Sequence, residues 1–271
     1  MIPGSLCSRK AGLLSLLVVI GLTTSMDPGV AQSETCVLPS QHEGVTFHVE
    51  QIEEHWACPL QLIISSYTTF NKVGPIPIRL SEPVYHYLLD RPPIAAALIN
   101  RLDIAPYKSE ARGPGRFWAN DGEGTEGTIE LVYQDPTDRI YYVEGIHTSI
   151  VLPDINGKAV VFVKMNPVKD GQGNDAIETT LVAYAKLNSR LLAGLVSLLR
   201  PLVVGTVGRK LSKGISVVNR LGEEMRQHPD RVLFEATDPP SLPHDDVEFL
   251  KQVLANLSHS SSAPQFRVPP P

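Results

Sequence analysis

The feature that most constrains this fold is a series of β-like segments between residues 107 and 187. Isoleucine, valine, tyrosine and threonine dominate the segments, and Ile129, Leu131 and Tyr133 alternate with their neighbours as in a strand. Turns rich in glycine, asparagine or aspartate separate them, at residues 120–124, 135–136, 156–157 and 170–173. Such short connections leave no room for the crossover helices that parallel strands require, so the pattern predicts an antiparallel meander.

Helical patterns lie on both sides of this strand region. Residues 81–102 contain two helix-start signals, each with proline in the first turn, and predict two short linked helices. After Leu187 apolar residues recur at helical spacing, at Leu191, Leu195, Leu198, Leu202, Val207, Leu211, Ile215, Val218 and Leu221. Proline interrupts helices, so we expect a short helix and then a long one, divided at Pro201. The fold class is therefore α+β.

The two ends of the chain have weaker patterns. Residues 45–49 and 60–70 are predicted as strands, and the Gly-Pro-Ile-Pro segment at 74–77 is expected to break the chain. Near the other end, residues 247–257 predict one amphipathic helix. Residues 258–271 end in three prolines, lack core-forming side chains and are expected to be a disordered tail.

The order of these elements resembles the START/polyketide-cyclase superfamily, whose members adopt the helix-grip fold. Residues 81–90, SEPVYHYLLD, resemble the first helix of that family, residues 127–187 resemble its strands, and residues 207–225 resemble its gripping helix. The resemblance covers residues 81–226, with 60–70 as the first strand. It implies a curved antiparallel sheet wrapped on a long C-terminal helix, with an apolar ligand cavity between them.

The first residues of the chain have the layout of a secretory signal peptide. Arg9 and Lys10 precede an apolar run over residues 11–22, and Gly29 and Ala31 are the small residues that precede a cleavage point. The run is shorter than the ~20 apolar residues that span a membrane. We therefore expect cleavage after residue 31 and a protein that is exported, either periplasmic or secreted.

Export determines how the cysteines are interpreted. Cys36 and Cys58 are the cysteines that remain after cleavage, and two thiols in an oxidising compartment favour a disulfide. A metal site is the alternative, because His42, His48 and His55 lie nearby. The spacing matches none of the close Cys or His pairs of zinc sites, so we predict the disulfide and no metal.

These patterns divide the chain into four segments. They are a signal peptide at 1–31, an N-terminal extension with the disulfide at 32–77, a START-like helix-grip domain at 78–236, and a proline-rich tail with one short helix at 237–271.

Composition and motifs favour ligand binding over catalysis. The chain has 24 basic and 29 acidic residues and a net charge of −5, which argues against nucleic acid as a partner. It contains no P-loop, no G-x-S-x-G and no H-E-x-x-H motif, and no cofactor is predicted. We therefore expect a hydrophobic small molecule, lipid-like, in the sheet–helix cavity. The candidate ligand contacts are Trp118, Tyr133, Tyr142, Phe162, Leu211 and Ile215, which could equally be ordinary core residues.

The alternative is an enzyme of the cyclase or dehydratase type that uses the same cavity. His147 and Glu144 are the candidate acid/base residues, although strand alternation places them on opposite faces. No nucleophile or orienting third group accompanies either residue, so we favour structural roles for both.

A basic cluster on the long helix suggests a second kind of contact. Arg209, Lys210 and Lys213 could approach anionic lipid head groups during a transient membrane contact. A solvated helix face is the simpler interpretation, and we favour it.

Overall fold

The computed structural model describes residues 36–150, 154–171, 173–188 and 196–261, which form nine strands and six helices. A short hairpin joins β1 (Gln41–His42) to β2 (Val45–Thr46). The main sheet contains β3 (Thr69–Ile78), β4 (Lys108–Ala111), β5 (Arg116–Asn120), β6 (Thr125–Gln134), β7 (Asp138–His147), β8 (Ile155–Lys169) and β9 (Asp175–Leu187). The helices are α1 (Glu54–Ser65), α2 (Glu82–Asp90), α3 (Pro92–Arg101), α4 (Val196–Gln227), α5 (Pro229–Thr237) and α6 (His244–Ser261).

The seven-stranded sheet has the order β3-β9-β8-β7-β6-β5-β4, and every neighbouring pair is antiparallel. Strands β4 to β9 follow one another along the chain, which confirms the predicted meander. Strand β3 precedes the helix pair in sequence but pairs with β9, so it forms the opposite edge of the sheet. The helix pair predicted over residues 81–102 is also confirmed, as α2 and α3.

The strand predicted over residues 60–70 is wrong. Residues up to Ser65 belong to α1, in which Leu60 and Ile63 are buried against the sheet one helical turn apart. Apolar runs of this length do not distinguish a short helix from a strand, because either can bury them. The strand over 45–49 shortens to β2.

The proline-containing segment at residues 74–77 does not break the chain. Strand β3 continues through it to Ile78, with an irregularity in register between Val73 and Ile76. Proline is tolerated here because β3 is an edge strand and the irregularity accommodates the residue that cannot donate to the ladder. The main sheet therefore includes Thr69–Ile78, although the sequence pattern predicts that the helix-grip domain begins at residue 78.

The turn predicted at Asn156 and Gly157 is also wrong, because both residues lie within β8. Gly157 pairs with Gly145 of β7, so this glycine occupies a position inside the sheet and not in a turn. The connection between β7 and β8 runs from residue 148 to residue 154 instead.

Helix α4 runs past Pro201 without the predicted division. Proline has no backbone N–H, so the helix continues across this position with one backbone hydrogen bond fewer. Leu191 and Leu195, the first residues of the predicted stripe, lie outside the described residues, as do residues 1–31.

Two hydrophobic cores cover the two faces of the sheet. On one face, helices α2 to α6 bury a large cluster that includes Leu88, Leu98 and Met225. On the other face, α1 and the N-terminal segment cover a smaller cluster around Phe47 and Phe162. The sheet is therefore the middle layer of the described structure.

The C-terminal segment contributes to the larger core. Val247, Leu250 and Leu254 of α6 are buried in the same cluster as the helix pair, and α6 extends to Ser261. The expected tail therefore does not begin at Ser258, and residues 262–271 lie outside the described part of the chain. None of the described helices has the length and apolar character needed to cross a membrane.

The predicted disulfide is confirmed between Cys36 and Cys58, whose Cα atoms lie 5.0 Å apart. It joins the start of the described chain to α1. In the chain-entropy model, a loop of this size is worth roughly 3 kcal/mol of stability.

Candidate functional site

A row of glycines crosses the three central strands of the sheet near one end of them. Gly127 of β6 pairs with Gly145 of β7, which in turn pairs with Gly157 of β8. Their missing side chains would point to the face that carries α4, because Gly145 alternates with Val143 and His147 on β7. A Cβ at Gly145 would lie 2.9 Å from the Glu126 carbonyl oxygen, so the backbone spacing itself favours glycine. The row leaves a patch of bare backbone on the sheet.

A cavity of about 170 Å³ lies between this patch and α4. Helix α4 contributes Thr206, Val207 and Lys210 to it, on the side opposite the strands. The apolar side chains that line it are Val143, Ile146, Ile155, Ala159, Ala185, Leu187 and Val207. The cavity is therefore mainly apolar, with a small number of polar groups.

Besides Lys158, the strands contribute one titratable residue to this cavity, His147. Its Nδ1 lies 2.9 Å from Oγ1 of Thr125, the residue opposite it on β6. This hydrogen bond fixes the orientation of the ring. An imidazole held in an apolar cavity can serve as a proton donor or acceptor for a bound ligand.

Lys210 and Lys213 of α4 form ion pairs with the β5–β6 turn. Lys210 pairs with Asp121, and Lys213 pairs with Glu123. Burial raises the pKa of Asp121, but the hydrogen bonds from Lys210 and from backbone N–H groups outweigh it and lower the pKa. The hydrogen bond from Lys213 lowers the pKa of Glu123. Two of the predicted basic residues are thus engaged, and Arg209 remains exposed on the helix.

Glu144 lies on the other face of the sheet. Its Oε1 accepts hydrogen bonds from Tyr142 and from Lys158, whose Nζ is 2.6 Å away. The Lys158 hydrogen bond is the main cause of a lowered pKa at Glu144, so this carboxylate is ionised at neutral pH. The sheet separates it from His147, and the two residues do not form one catalytic pair.

A wider groove of about 940 Å³ occupies the α1 face of the sheet. Leu62 and Ile63 of α1 form one wall, and Trp118 and Tyr142 lie on the strands opposite. Gly145 and Gly157 line both this groove and the cavity beneath α4. At these glycines, the backbone of the sheet separates the two spaces.

The predicted ligand contacts on the strands lie away from the cavity beneath α4. Trp118 and Tyr142 line the groove on the α1 face, and Phe162 is fully buried in the smaller core. Tyr133 packs against that core and donates a hydrogen bond to Asp135. Side-chain alternation explains this placement, because Tyr142 and Phe162 occupy positions that face α1.

The predicted contacts on α4 also lie outside the described cavity lining. Ile215 is buried in the larger core, and Leu211 is half-buried one turn before it. The cavity adjoins the preceding part of the helix, at Val207.

The sequence pattern alone does not identify the glycine row, of which Gly145 and Gly157 line the cavity. Gly127, Gly145 and Gly157 are far apart in sequence and become neighbours only when the strand register is known. The assignment of Gly157 to a turn concealed this register. A correct β7–β8 pairing would have revealed the row.

A separate cluster links the N-terminal extension to the β6–β7 turn. The Nδ1 atom of His48 lies 2.8 Å from Oδ2 of Asp135 and 2.9 Å from Oδ2 of Asp138. One imidazole and two carboxylates are groups that can hold a metal ion. Lys164, however, already lies 2.8 Å from the other oxygen of Asp138. We therefore interpret the cluster as a partly buried ion-pair network.

Comparisons with known proteins assign neither a family nor a function. No family model matches the chain, and no curated protein matches it. A conserved protein from Geobacillus kaustophilus has 13% identity and a TM-score of 0.39, over 57% of this chain and 95% of its own. An uncharacterized protein from Rhizobium leguminosarum has 12% identity and a TM-score of 0.33, over 57% of this chain and 93% of its own.

Proposed function

We propose that this chain is an exported START-like helix-grip protein that binds a small hydrophobic molecule between the sheet and α4. The superfamily opens with a strand directly before its first helix, and β3 ends at Ile78, close before α2. The antiparallel strand order and the length of α4 also support the assignment. The disulfide between Cys36 and Cys58 supports export, because such bonds persist in oxidising compartments.

The observation that carries the proposal is the apolar cavity above the glycine row. Removing apolar ligand surface from water yields about 25 cal/mol per Å², so such a lining favours an apolar ligand. Its volume of about 170 Å³ is below the ~300 Å³ at which drug-sized pockets begin. The ligand is therefore a small molecule, or one short apolar part of a lipid-like molecule.

Filling the cavity tests this proposal. Ala159 lines the cavity, whereas Val161, two residues along the same strand, packs in the larger core. We expect Ala159→Leu to weaken binding of 1-aminonaphthalene, a small apolar fluorophore, by at least about tenfold, because the added side chain occupies its space. Val161→Leu is the matched control and should leave the Kd within about twofold. Fluorescence titration measures both values.

Two outcomes would contradict cavity binding. The first is the absence of probe binding by the wild-type protein. The second is equal weakening of binding by Ala159→Leu and Val161→Leu while both variants remain folded by circular dichroism. The second outcome would indicate a binding site elsewhere or a general effect of overpacking.

Catalysis in the same cavity is the second candidate function, and the position of His147 favours it. The imidazole would act as acid/base toward a polyketide-like substrate, by moving a proton in a cyclisation or by protonating a departing hydroxyl group in a dehydration. His147→Ala should then abolish turnover of such a substrate while 1-aminonaphthalene still binds. Unchanged turnover in this variant would exclude the catalytic role of His147.

A transient membrane contact through the basic part of α4 is a third element of the proposal. Arg209 is exposed, whereas Lys210 and Lys213, within one turn of it, would join the contact only by leaving their ion pairs with Asp121 and Glu123. Anionic vesicles that fail to bind the wild-type protein at low salt would contradict this contact.

A further inference from the structure

The β5–β6 turn and α4 are joined by a network of charges beside the cavity. Lys210 pairs with Asp121 and lies 3.7 Å from Glu123, which also pairs with Lys213. The four side chains are between 22% and 49% exposed. The network is therefore accessible to salt but only partly solvated.

The turn is organised so that its carboxylates face the helix. Oδ1 of Asp121 accepts backbone hydrogen bonds from Glu123 and Thr125, at 2.8 and 3.0 Å. The other oxygen of Asp121 is thereby directed to Lys210. Gly124 has a φ of +86°, so the chain can reverse direction there.

The network is continuous with the cavity wall. Thr125, which follows the turn, and Lys210 both line the cavity, as does His147. The turn is held to the strand side by the hydrogen bond from Thr148 N to Gly124 O, at 2.8 Å. It is held to the helix side by the lysines. The cavity is already partly open to solvent, and separation of the turn from α4 would widen its opening beside Thr125.

We infer that Asp121, Glu123, Lys210 and Lys213 form an electrostatic latch that controls ligand entry to and exit from the cavity. This inference rests on the proposed function and adds a gate to it. The latch opens when its ion pairs break, the turn moves away from α4, and the ligand passes between Thr125 and the helix.

Exchange rates distinguish a gate from a structural ion pair. Breaking a gate raises the association and dissociation rates together and changes Kd less, whereas weaker contacts to the ligand raise mainly the dissociation rate. The test is stopped-flow fluorescence with 1-aminonaphthalene on the full-length protein carrying Lys210→Met and Lys213→Met. Methionine keeps much of the apolar stem of each lysine and removes its charge.

We expect the association and dissociation rates both to rise about tenfold in this double variant, because the loss of each partly exposed ion pair should accelerate exchange a few-fold. High salt should accelerate exchange in the wild-type protein, because it screens the ion pairs. The Debye length falls from about 10 Å at 0.1 M to about 3 Å at 1 M ionic strength. The double variant should lose this acceleration. Lys169→Met is the matched control, since Lys169 pairs with Asp175 at the β8–β9 turn and does not line the cavity.

The outcomes separate the latch from the cavity proposal. Probe binding with rates unchanged by both the substitutions and salt overturns the latch and leaves the cavity proposal standing. Absence of probe binding in every form overturns the cavity proposal and the latch with it. If the double variant fails to fold, Asp121→Asn and the wild-type salt dependence provide the same test.

Discussion

At the scale of single residues, the sequence predicts some contacts in this protein but not those between side chains that are far apart along the chain. The pairing of Cys36 with Cys58 was predictable, because few cysteines remain after cleavage of the predicted signal peptide. The partners of His48 were not predictable, because Asp135 and Asp138 lie about ninety residues away along the chain. Alternation along a strand predicts the face of the sheet on which a side chain lies. It does not predict which helix or segment covers that face.

Asp135 leads to a prediction about stability and pH. Burial raises its pKa, but hydrogen bonds from the backbone of Thr137 and Asp138, from Tyr133 and from His48 lower the pKa to about 2. The ionised form therefore stabilises the fold above the ordinary pKa near 3.8, and this contribution is lost as the pH falls toward 2. Asp135→Asn should cost about 2 kcal/mol at pH 7 and much less below pH ~3.

Urea unfolding of the wild-type protein and of Asp135→Asn at several pH values measures this difference. Asp245→Asn is the matched control, because the Asp245 side chain is 96% exposed, and it should be nearly neutral at every pH. A difference for Asp135→Asn that stays constant from pH 7 to pH 2.5 would contradict the assigned pKa.

At the scale of elements, periodicity predicted the long regular segments well. The meander, the helix pair and the amphipathic segment in α4 followed from alternation, turn chemistry and helical spacing. The short apolar run in α1 was misassigned, because its burial against a sheet is compatible with either structure. The edge position of β3, which lets Pro75 and Pro77 lie within a strand, is a property of the assembled sheet.

Helix α6 was expected in a tail but is part of the larger core. Leu250 is 0% exposed there and packs with residues of α2 and α4 in the same cluster. Leu250→Ala should destabilise the protein by about 3 kcal/mol, through lost burial and the remaining space. Leu62→Ala is the matched control, since Leu62 is 62% exposed on α1, and it should cost less than about 1 kcal/mol.

Thermal or urea unfolding of both variants tests whether α6 belongs to the folding unit. Equal, small effects of Leu250→Ala and Leu62→Ala would mean that α6 is dispensable for the fold. A single cooperative transition with a selective loss for Leu250→Ala is the expected result.

At the scale of the whole molecule, the sheet has a helical layer on one face and the N-terminal segment with α1 on the other. The sequence pattern predicts a cavity beneath the long helix, but the residues that it suggests for the wall lie elsewhere. The physical reason is that the cavity lies where side chains are missing, at Gly145 and Gly157. Aromatic side chains, which drew attention in the sequence, instead fill the opposite core and groove.

A crystal structure of the protein with bound 1-aminonaphthalene tests the central proposal most directly. The proposal predicts the ring above the backbone of Gly145 and Gly157, in contact with Ala159 and with Val207 of α4. A structure in which side chains fill this space, or in which the ring lies in the groove beside Trp118, would contradict it.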